Sequence, residues 1–196
     1  MTANAVGSDR SRAFGETFGF TVLAATLYWL TWQEALHGTD WRWFVLWLDE
    51  PGVVHPQHPG YLVVADSLRW LLSPLQTDAY GVLKVFSIAG GSIAVAGLHR
   101  TAHAISGDPW FVWCATFLAM ISPALWHHAT VVELHAPFMA VIAWASWMAV
   151  RWIKQGDVKL AVLTGVLTGL ATLMHATGHM FTVMIAATIG WHCRTR

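Results

Sequence analysis

The chain has 196 residues, of which 56% are hydrophobic and only 11% are charged, and its formal net charge is zero. Soluble domains carry about 25% charged residues, so this composition excludes an ordinary soluble domain and favours a membrane protein. The balanced charge and the lack of a glycine-rich phosphate loop argue against a nucleic-acid partner and against soluble nucleotide chemistry. Cys114 and Cys193 form no C-x-x-C pair and are predicted to be small apolar residues.

Uncharged windows predict the transmembrane helices, because a helix needs about 20 apolar residues to cross the hydrocarbon core. In chain order these windows are 17–33, 85–98, 109–132, 134–150 and 160–193. The last window is long enough for two helices, and we expect the polar stretch 175–179 to divide it. The sequence therefore predicts a single all-α domain over 1–196, a polytopic bundle of about six transmembrane helices.

The basic residues outside these windows predict the orientation through the positive-inside rule. They precede the first window, follow the second, separate the fourth from the fifth and end the chain, so both termini are expected in the cytoplasm. These residues are Arg10, Arg12, Arg100, Arg151, Lys154, Lys159, Arg194 and Arg196. The outer side then holds a large first loop of about 37–80 and the turns around 127–135 and 175–179.

Residues 59–74 are as apolar as a span but contain Asp66 and Arg69. If this segment crossed the bilayer, Arg100 would lie outside, so we predict an amphipathic helix in the plane of the outer interface. Its apolar face comprises Leu62, Ala65, Leu68 and Leu72. The tryptophan-rich segment 41–48 is predicted to lie in the same way, which makes the first outer loop a set of in-plane helices.

Three stretches together resemble the GT-C superfamily of polytopic membrane glycosyltransferases. They are HPQHPGY at 55–61, SPALWHHATVVELHAPFMAV at 122–141 and GLATLMHAT at 169–177. The likeness is strongest to a bacterial family of membrane proteins related to transmembrane protein O-mannosyltransferases. That family has an acidic first-loop motif, then a His-Pro-Pro-Gly-Tyr-Pro motif, and a glutamate after a Ser-Pro-x-x-Trp helix end. Here Asp40 and Phe44 match the first acid and the phenylalanine of the first-loop motif, and Glu133 matches the later glutamate.

The chain also departs from that family. Trp43 stands where the first-loop motif has its second acid, and the family's proteins are several hundred residues longer. We therefore expect a fragment corresponding to the N-terminal part of such an enzyme, or a reduced relative without activity. The alternative from another class is a non-catalytic accessory subunit of a larger membrane complex, whose histidines and tryptophans contact a membrane protein partner, a pigment or haem.

The resemblance implies a polyprenyl-phosphate sugar donor in the outer leaflet of a bacterial inner membrane, with membrane lipids around the protein. A carboxylate would act as general base on the acceptor hydroxyl, and cations would stabilise the departing phosphate. The expected catalytic residues are Asp40, Asp49, Glu50 and Glu133. The expected substrate-binding residues are His55, His58, Tyr61, Arg42, Arg69, His135 and His175.

Other interpretations of these acids stay open. Asp40 is equally explained as a helix N-cap, and the Asp49-Glu50 pair as a solvated turn before Pro51. Glu133 favours a functional carboxylate more strongly, because it follows an uncharged window of 24 residues, where an unpartnered carboxylate is costly.

The histidines raise the question of a metal. His175 and His179 have the i, i+4 spacing of one helical face, but no H-E-x-x-H motif or cysteine accompanies them, so interfacial hydrogen bonding is the favoured interpretation. We assign no metal ligands and no certain cofactor, and a divalent metal stays an open alternative. His99 and His103 are predicted to be a surface pair. The glycines Gly90, Gly91, Gly97, Gly165 and Gly169 are predicted to pack helices closely.

Overall fold

The computed structural model describes residues 3–34, 40–50 and 58–194, with the side chains of 3–10, 40, 192 and 193 left out. This part of the chain is helical and contains no strand. Its α-helices are α1 (Ala3–Leu30), α2 (Asp40–Asp49), α3 (Pro59–Leu72), α4 (Ala79–Ile105), α5 (Pro109–Met120), α6 (Pro123–Ala129), α7 (His135–Gln155), α8 (Val158–Met174) and α9 (Gly178–Arg194). A short 3₁₀ turn, Ser73–Leu75, follows α3. The all-α prediction is confirmed.

Helix α4 forms the centre of the bundle and contacts α1, α2, α3, α5, α6 and α7. Glycines on α4 permit this close packing: a Cβ added at Gly90 would lie 2.5 Å from the backbone nitrogen of Pro137, and one at Gly97 would lie 2.8 Å from the Cβ of Ala143. The predicted packing role of the α4 glycines is confirmed. The described residues do not support that role for Gly165 and Gly169 on α8, because none of their atoms lies within 4 Å of a Cβ added at either position.

Two described helices, α4 and α7, are long and apolar enough to cross a membrane. The segment predicted as one span over 109–132 is instead two helices, α5 and α6, bent by 54° relative to each other. The bend has a local cause, because Pro123 cannot continue the hydrogen-bond ladder of α5 and Ser122 accepts from the Leu125 N–H as the N-cap of α6. Counting the bent pair as one span gives three.

The apolar helices α8 and α9 are each 17 residues long, or about 26 Å at 1.5 Å per residue, somewhat short of a bilayer core of about 30 Å. The division predicted at 175–179 is confirmed, since α8 ends at Met174 and α9 begins at Gly178. The count of six spans stays a prediction.

The first-loop segments predicted as helices, 41–48 and 59–74, are both helical. Helix α3 buries Leu62 and Ala65 on the predicted apolar face, while Asp66 is exposed. Its start packs tightly on α8, because a Cβ added at Gly60 would lie 3.0 Å from the Cβ of Leu173. The apolar face of α3 thus packs against the bundle. The location of α3 in the plane of the membrane stays a prediction.

Basic residues predicted to be cytoplasmic gather at one end of the bundle. The guanidinium groups of Arg100 and Arg151 lie 5.1 and 5.0 Å from the ring of Trp147. Lys154 donates from Nζ to the carbonyl of Ala104. Arg151 is 16 residues beyond His135, about 24 Å along α7, so this basic end lies far from the start of that helix.

The prediction that His99 is a surface residue is wrong. Its side chain is fully buried on α4, beneath the ring of Phe20 at 5.4 Å, and its Nδ1 lies 2.9 Å from Thr17 Oγ1. The Thr17 hydroxyl donates its single hydrogen to the Ala13 carbonyl at 2.7 Å, so the Nδ1–H of His99 is the donor to Thr17. The polar contact between α1 and α4 allows the imidazole to be buried.

Thr17→Val is therefore expected to lower the free energy of unfolding by about 1–3 kcal/mol, because the isosteric valine leaves a buried imidazole N–H without its acceptor. The matched control is Thr21→Val one turn later, where the hydroxyl donates only to the carbonyl of Thr17 and no histidine loses a partner. Unfolding midpoints in detergent measure both, and equal losses for the two variants would contradict the account of His99.

Candidate functional site

Four helices, α3, α6, α7 and α8, and the link between α6 and α7 place one group of polar side chains at the end of the bundle opposite the basic residues. His58 is the N-cap of α3, and the next turn carries Tyr61. His175 is the C-cap of α8, and His135 is the first residue of α7. The Glu133 cluster, as we call it, consists of His58, Tyr61, His128, Glu133, His135 and His175.

The link 130–134 between α6 and α7 holds Glu133 in place. The Thr130 carbonyl accepts from the Gln33 N–H at 2.9 Å, and the Ser87 hydroxyl lies 3.3 Å from both the N and the O of Glu133. Pro137 falls in the first turn of α7, where a missing N–H removes no helical hydrogen bond. The link is therefore fixed to α1 and α4 at both of its ends.

The centre of the cluster is a contact between Glu133 and two histidines. His135 Nδ1 lies 3.1 Å from Glu133 Oε2, and the rings of His128 and His135 are stacked with centroids 4.4 Å apart. The Glu133 side chain is 21% exposed and that of His135 38%, so both remain reachable from solvent. The buried Nδ1 of His128 has no hydrogen-bond partner among the described residues.

His175 extends the cluster towards α3. Its ring centroid lies 5.4 Å from that of His135 and 4.9 Å from that of His58. The Thr177 N–H donates to His175 Nδ1 at 3.1 Å, so the neutral ring carries its proton on Nε2. His175 is thus a hydrogen-bond donor beside the carboxylate.

Tyr61 lies beneath His58 in a hydrophobic environment. Its ring is fully buried between Phe44, at a centroid distance of 4.9 Å, and Phe86, at 5.2 Å. Its hydroxyl has no hydrogen-bond partner in the described part of the chain. Burial raises the pKa of Tyr61, and the negative charge of Glu133 raises it further, so the phenol is a neutral donor.

The electrostatics favour an ionised Glu133 and a neutral His175. Burial alone would raise the pKa of Glu133, but the hydrogen bond from His135, the charges of His135 and His128 and the Leu134 N–H outweigh it, so its pKa is lowered. The pKa of His175 is lowered by burial and by repulsion from His135, against the attraction of Glu133. The cluster therefore combines the Glu133 carboxylate with two neutral hydrogen-bond donors, His175 and Tyr61.

The predicted residues Asp49 and Arg69 form a separate pair. Asp49 Oδ1 accepts from Arg69 Nη2 at 2.9 Å, and Arg69 Nη1 donates to the Leu48 carbonyl at 2.6 Å. Arg69 is eight residues beyond Tyr61, about 12 Å along α3. The pair joins the end of α2 to α3, and the positive charge of Arg69 is already compensated.

The other predicted residues divide as follows. Arg42 lies on α2 with its guanidinium 5.4 Å from the ring of Trp41, and Glu50 directly follows α2. Helix α2 begins at Asp40, whose side chain is not described, and His55 lies outside the described residues. The structure therefore brings together five of the predicted residues, Glu133, His58, Tyr61, His135 and His175, and places Asp49 and Arg69 elsewhere. A role of any of these residues in a common site stays a prediction, as it does for Asp40 and His55.

A cavity of about 400 Å³ lies between the end of α1, α2 and the start of α4. The described residues that line it are three aromatic residues, one acid and one base: Trp32, Trp41, Tyr80, Glu34 and Lys84. Trp32 and Trp41 pack against the same hydrophobic core that holds Tyr61. Aromatic faces with a few polar groups are typical of small-molecule sites.

His128 is not among the site residues expected from the sequence, and the prediction that His175 and His179 lie on one helical face is wrong. His175 lies outside both helices, so His175 and His179 do not share a helical face. The sequence feature that indicates His128 is the short spacing of His128, Glu133 and His135 around a link between two helices.

Comparison with known protein-family models, with curated proteins and with solved structures found no match for this chain. The function is therefore argued from the Glu133 cluster.

Proposed function

We propose that the chain is a GT-C-like membrane glycosyltransferase, or part of one, that uses a polyprenyl-phosphate sugar at the Glu133 cluster. The observation that carries this proposal is an ionised carboxylate, held 3.1 Å from an imidazole, next to a neutral imidazole and a neutral phenol. A base and hydrogen-bond donors side by side are what transfer of a sugar from a phosphate requires.

Each group of the cluster has a role in the proposed sugar transfer. An acceptor hydroxyl attacks the anomeric carbon, a new C–O bond forms, and the bond from that carbon to the phosphate oxygen breaks. Glu133 provides the negative charge that activates the acceptor, by taking its proton or by holding a cation that lowers the hydroxyl pKa. The Nε2–H of His175 and the hydroxyl of Tyr61 are donors suited to the phosphate oxygens.

The location of the cluster supports a lipid substrate. It lies at the start of α7, one of the two helices that can span a membrane, with the basic residues about 24 Å away at the other end. Under the positive-inside rule this separation supports a cluster on the outer side, and the proposal takes that side to be the outer face of a bacterial inner membrane. A donor anchored by its polyprenyl chain would present its phosphate there.

A second candidate is the non-catalytic subunit of a larger membrane complex. The face of α8 at Gly165 and Gly169 favours it, because a G-x-x-x-G pattern on which none of the described residues packs suits a helix of another protein. A reconstituted chain given labelled lipid-linked mannose or glucose distinguishes the two. The glycosyltransferase proposal expects saturable donor binding, and stable association with another membrane protein without donor binding would favour the second candidate.

The predicted role of Arg69 in holding the phosphate can be tested with two variants that should change the donor Kd in opposite directions. If the donor competes with Asp49 for Arg69, Asp49→Asn should lower the donor Kd several-fold, and Arg69→Ala should raise it about tenfold, the value of a charge-assisted hydrogen bond. Arg12→Ala is the control, since Arg12 is paired with Glu16 on α1. A donor Kd that is unchanged in both Asp49 and Arg69 variants would show that the pair only joins α2 to α3.

A further inference from the structure

Three side chains of the Glu133 cluster have the arrangement of a metal site. His128, Glu133 and His135 each offer one ligand atom, and these atoms all lie within 4.8 Å of one another. They come from the end of α6, the following link and the start of α7, so the short link between these two helices brings them together. All three are partly exposed, which leaves a route for an ion to enter.

The donor set and the distances both suit zinc. Zinc sites with two histidines and one glutamate keep a fourth position open, with ligands about 2.0–2.2 Å from the ion, so ligand atoms lie about 3.3 Å apart in a tetrahedron. Contraction from 4.8 Å to that spacing requires side-chain adjustments of about 1 Å. The contact between His135 and Glu133 is already 3.1 Å.

An independent observation concerns His128. Its Nδ1 is buried and has no hydrogen-bond partner among the described residues, although a buried polar atom without a partner is costly. The partial burial of Glu133 likewise calls for compensation of a negative charge. An ion between these groups would satisfy both requirements.

We propose that His128, Glu133 and His135 bind one zinc ion, with the fourth position open to a phosphate oxygen or to a hydroxyl. The second half of this statement rests on the proposed function, whereas binding of the ion does not. Zinc would neutralise phosphate charge there, whereas the positive charge of Arg69 is already compensated by Asp49. His175, whose ring is tilted by 44° with its centroid 5.4 Å from that of His135, would orient the zinc ligand His135 rather than bind the ion.

The test uses the full chain in detergent, stripped with a chelator and titrated with Zn²⁺ by calorimetry, followed by desalting and elemental analysis. We expect one zinc per chain and a Kd at least 100-fold higher in His128→Gln and in His135→Gln. We expect His175→Gln to raise the Kd about tenfold, as loss of a group that orients a ligand does. The controls are His103→Gln and His179→Gln, which change a histidine outside the cluster, and circular dichroism checks that every variant is folded.

The possible outcomes test the metal site and the proposed sugar transfer independently of each other. A wild-type chain that retains no zinc, or controls that lose it as the ligand variants do, would overturn the metal site. Zinc binding without donor binding would support the metal site and contradict the proposed function. Donor binding by a chain that does not bind zinc would support the proposed function and contradict the metal site. Glu133 would then act as a carboxylate without a metal ion.

Discussion

Glu133→Gln is expected to abolish sugar transfer while the protein stays folded. Glutamine keeps the shape of the side chain but removes the charge, so it neither accepts the acceptor's proton nor holds a cation well. A positioned base contributes about 10²–10⁴-fold to a rate, and we expect a loss of that size in kcat/KM. The measurement is transfer of labelled sugar from a polyprenyl-phosphate donor by the chain reconstituted in lipid.

The matched control is Asp157→Asn, the same loss of charge at the N-cap of α8. Asparagine caps a helix as well as aspartate, so activity and stability should both be retained. Glu133→Gln itself should leave the thermal unfolding midpoint near that of the wild type, because the hydrogen bond to His135 can be kept by the amide oxygen. Full activity of Glu133→Gln would remove Glu133 from the reaction.

Gly90→Ala is expected to destabilise the contact between α4 and α7 strongly. The added Cβ would lie 2.5 Å from the nitrogen and 2.7 Å from the Cα of Pro137, and a backbone contact cannot be relieved by rotating a side chain. Helices α4 and α7 would have to move apart, at a cost of about 1–3 kcal/mol in the free energy of unfolding. Since Pro137 belongs to the first turn that presents His135, activity should fall as well.

Gly165→Ala on α8 is the control for this substitution. An added Cβ there has nothing within 4 Å, so the higher helix propensity of alanine should raise the free energy of unfolding by about 0.5–1 kcal/mol. Unfolding midpoints in mixed detergent compare the two variants. A Gly90→Ala protein as stable as the wild type would contradict the close approach of α4 and α7.

Local patterns predicted much of the fold. The apolar face of α3 over Leu62 and Ala65, the division between α8 and α9 and the glycine packing on α4 all follow from periodicity or from the size of a side chain. The membrane character is supported by the two or three helices that can span a bilayer, and six spans require α1, α8 and α9 to cross as well.

Contacts between distant segments could not be predicted in the same way. Burial of His99 depends on Thr17, 82 residues earlier, and no local pattern shows that partner. The contact of His135 with His175 depends on where the start of α7 meets the end of α8, and the pairing of Arg69 with Asp49 depends on how α2 meets α3. Tertiary packing therefore decides which of the predicted polar residues share a site.

The most direct test of the Glu133 cluster as the donor site is photo-crosslinking with a polyprenyl-phosphate sugar that carries a reactive group near its phosphate. The proposal predicts labelled peptides from the segments 58–61, 128–135 and 173–177, with labelling suppressed by unlabelled donor. Labelling confined to the exposed apolar residues of α5 and α9, and insensitive to unlabelled donor, would contradict it, because that is the pattern of ordinary lipid contact.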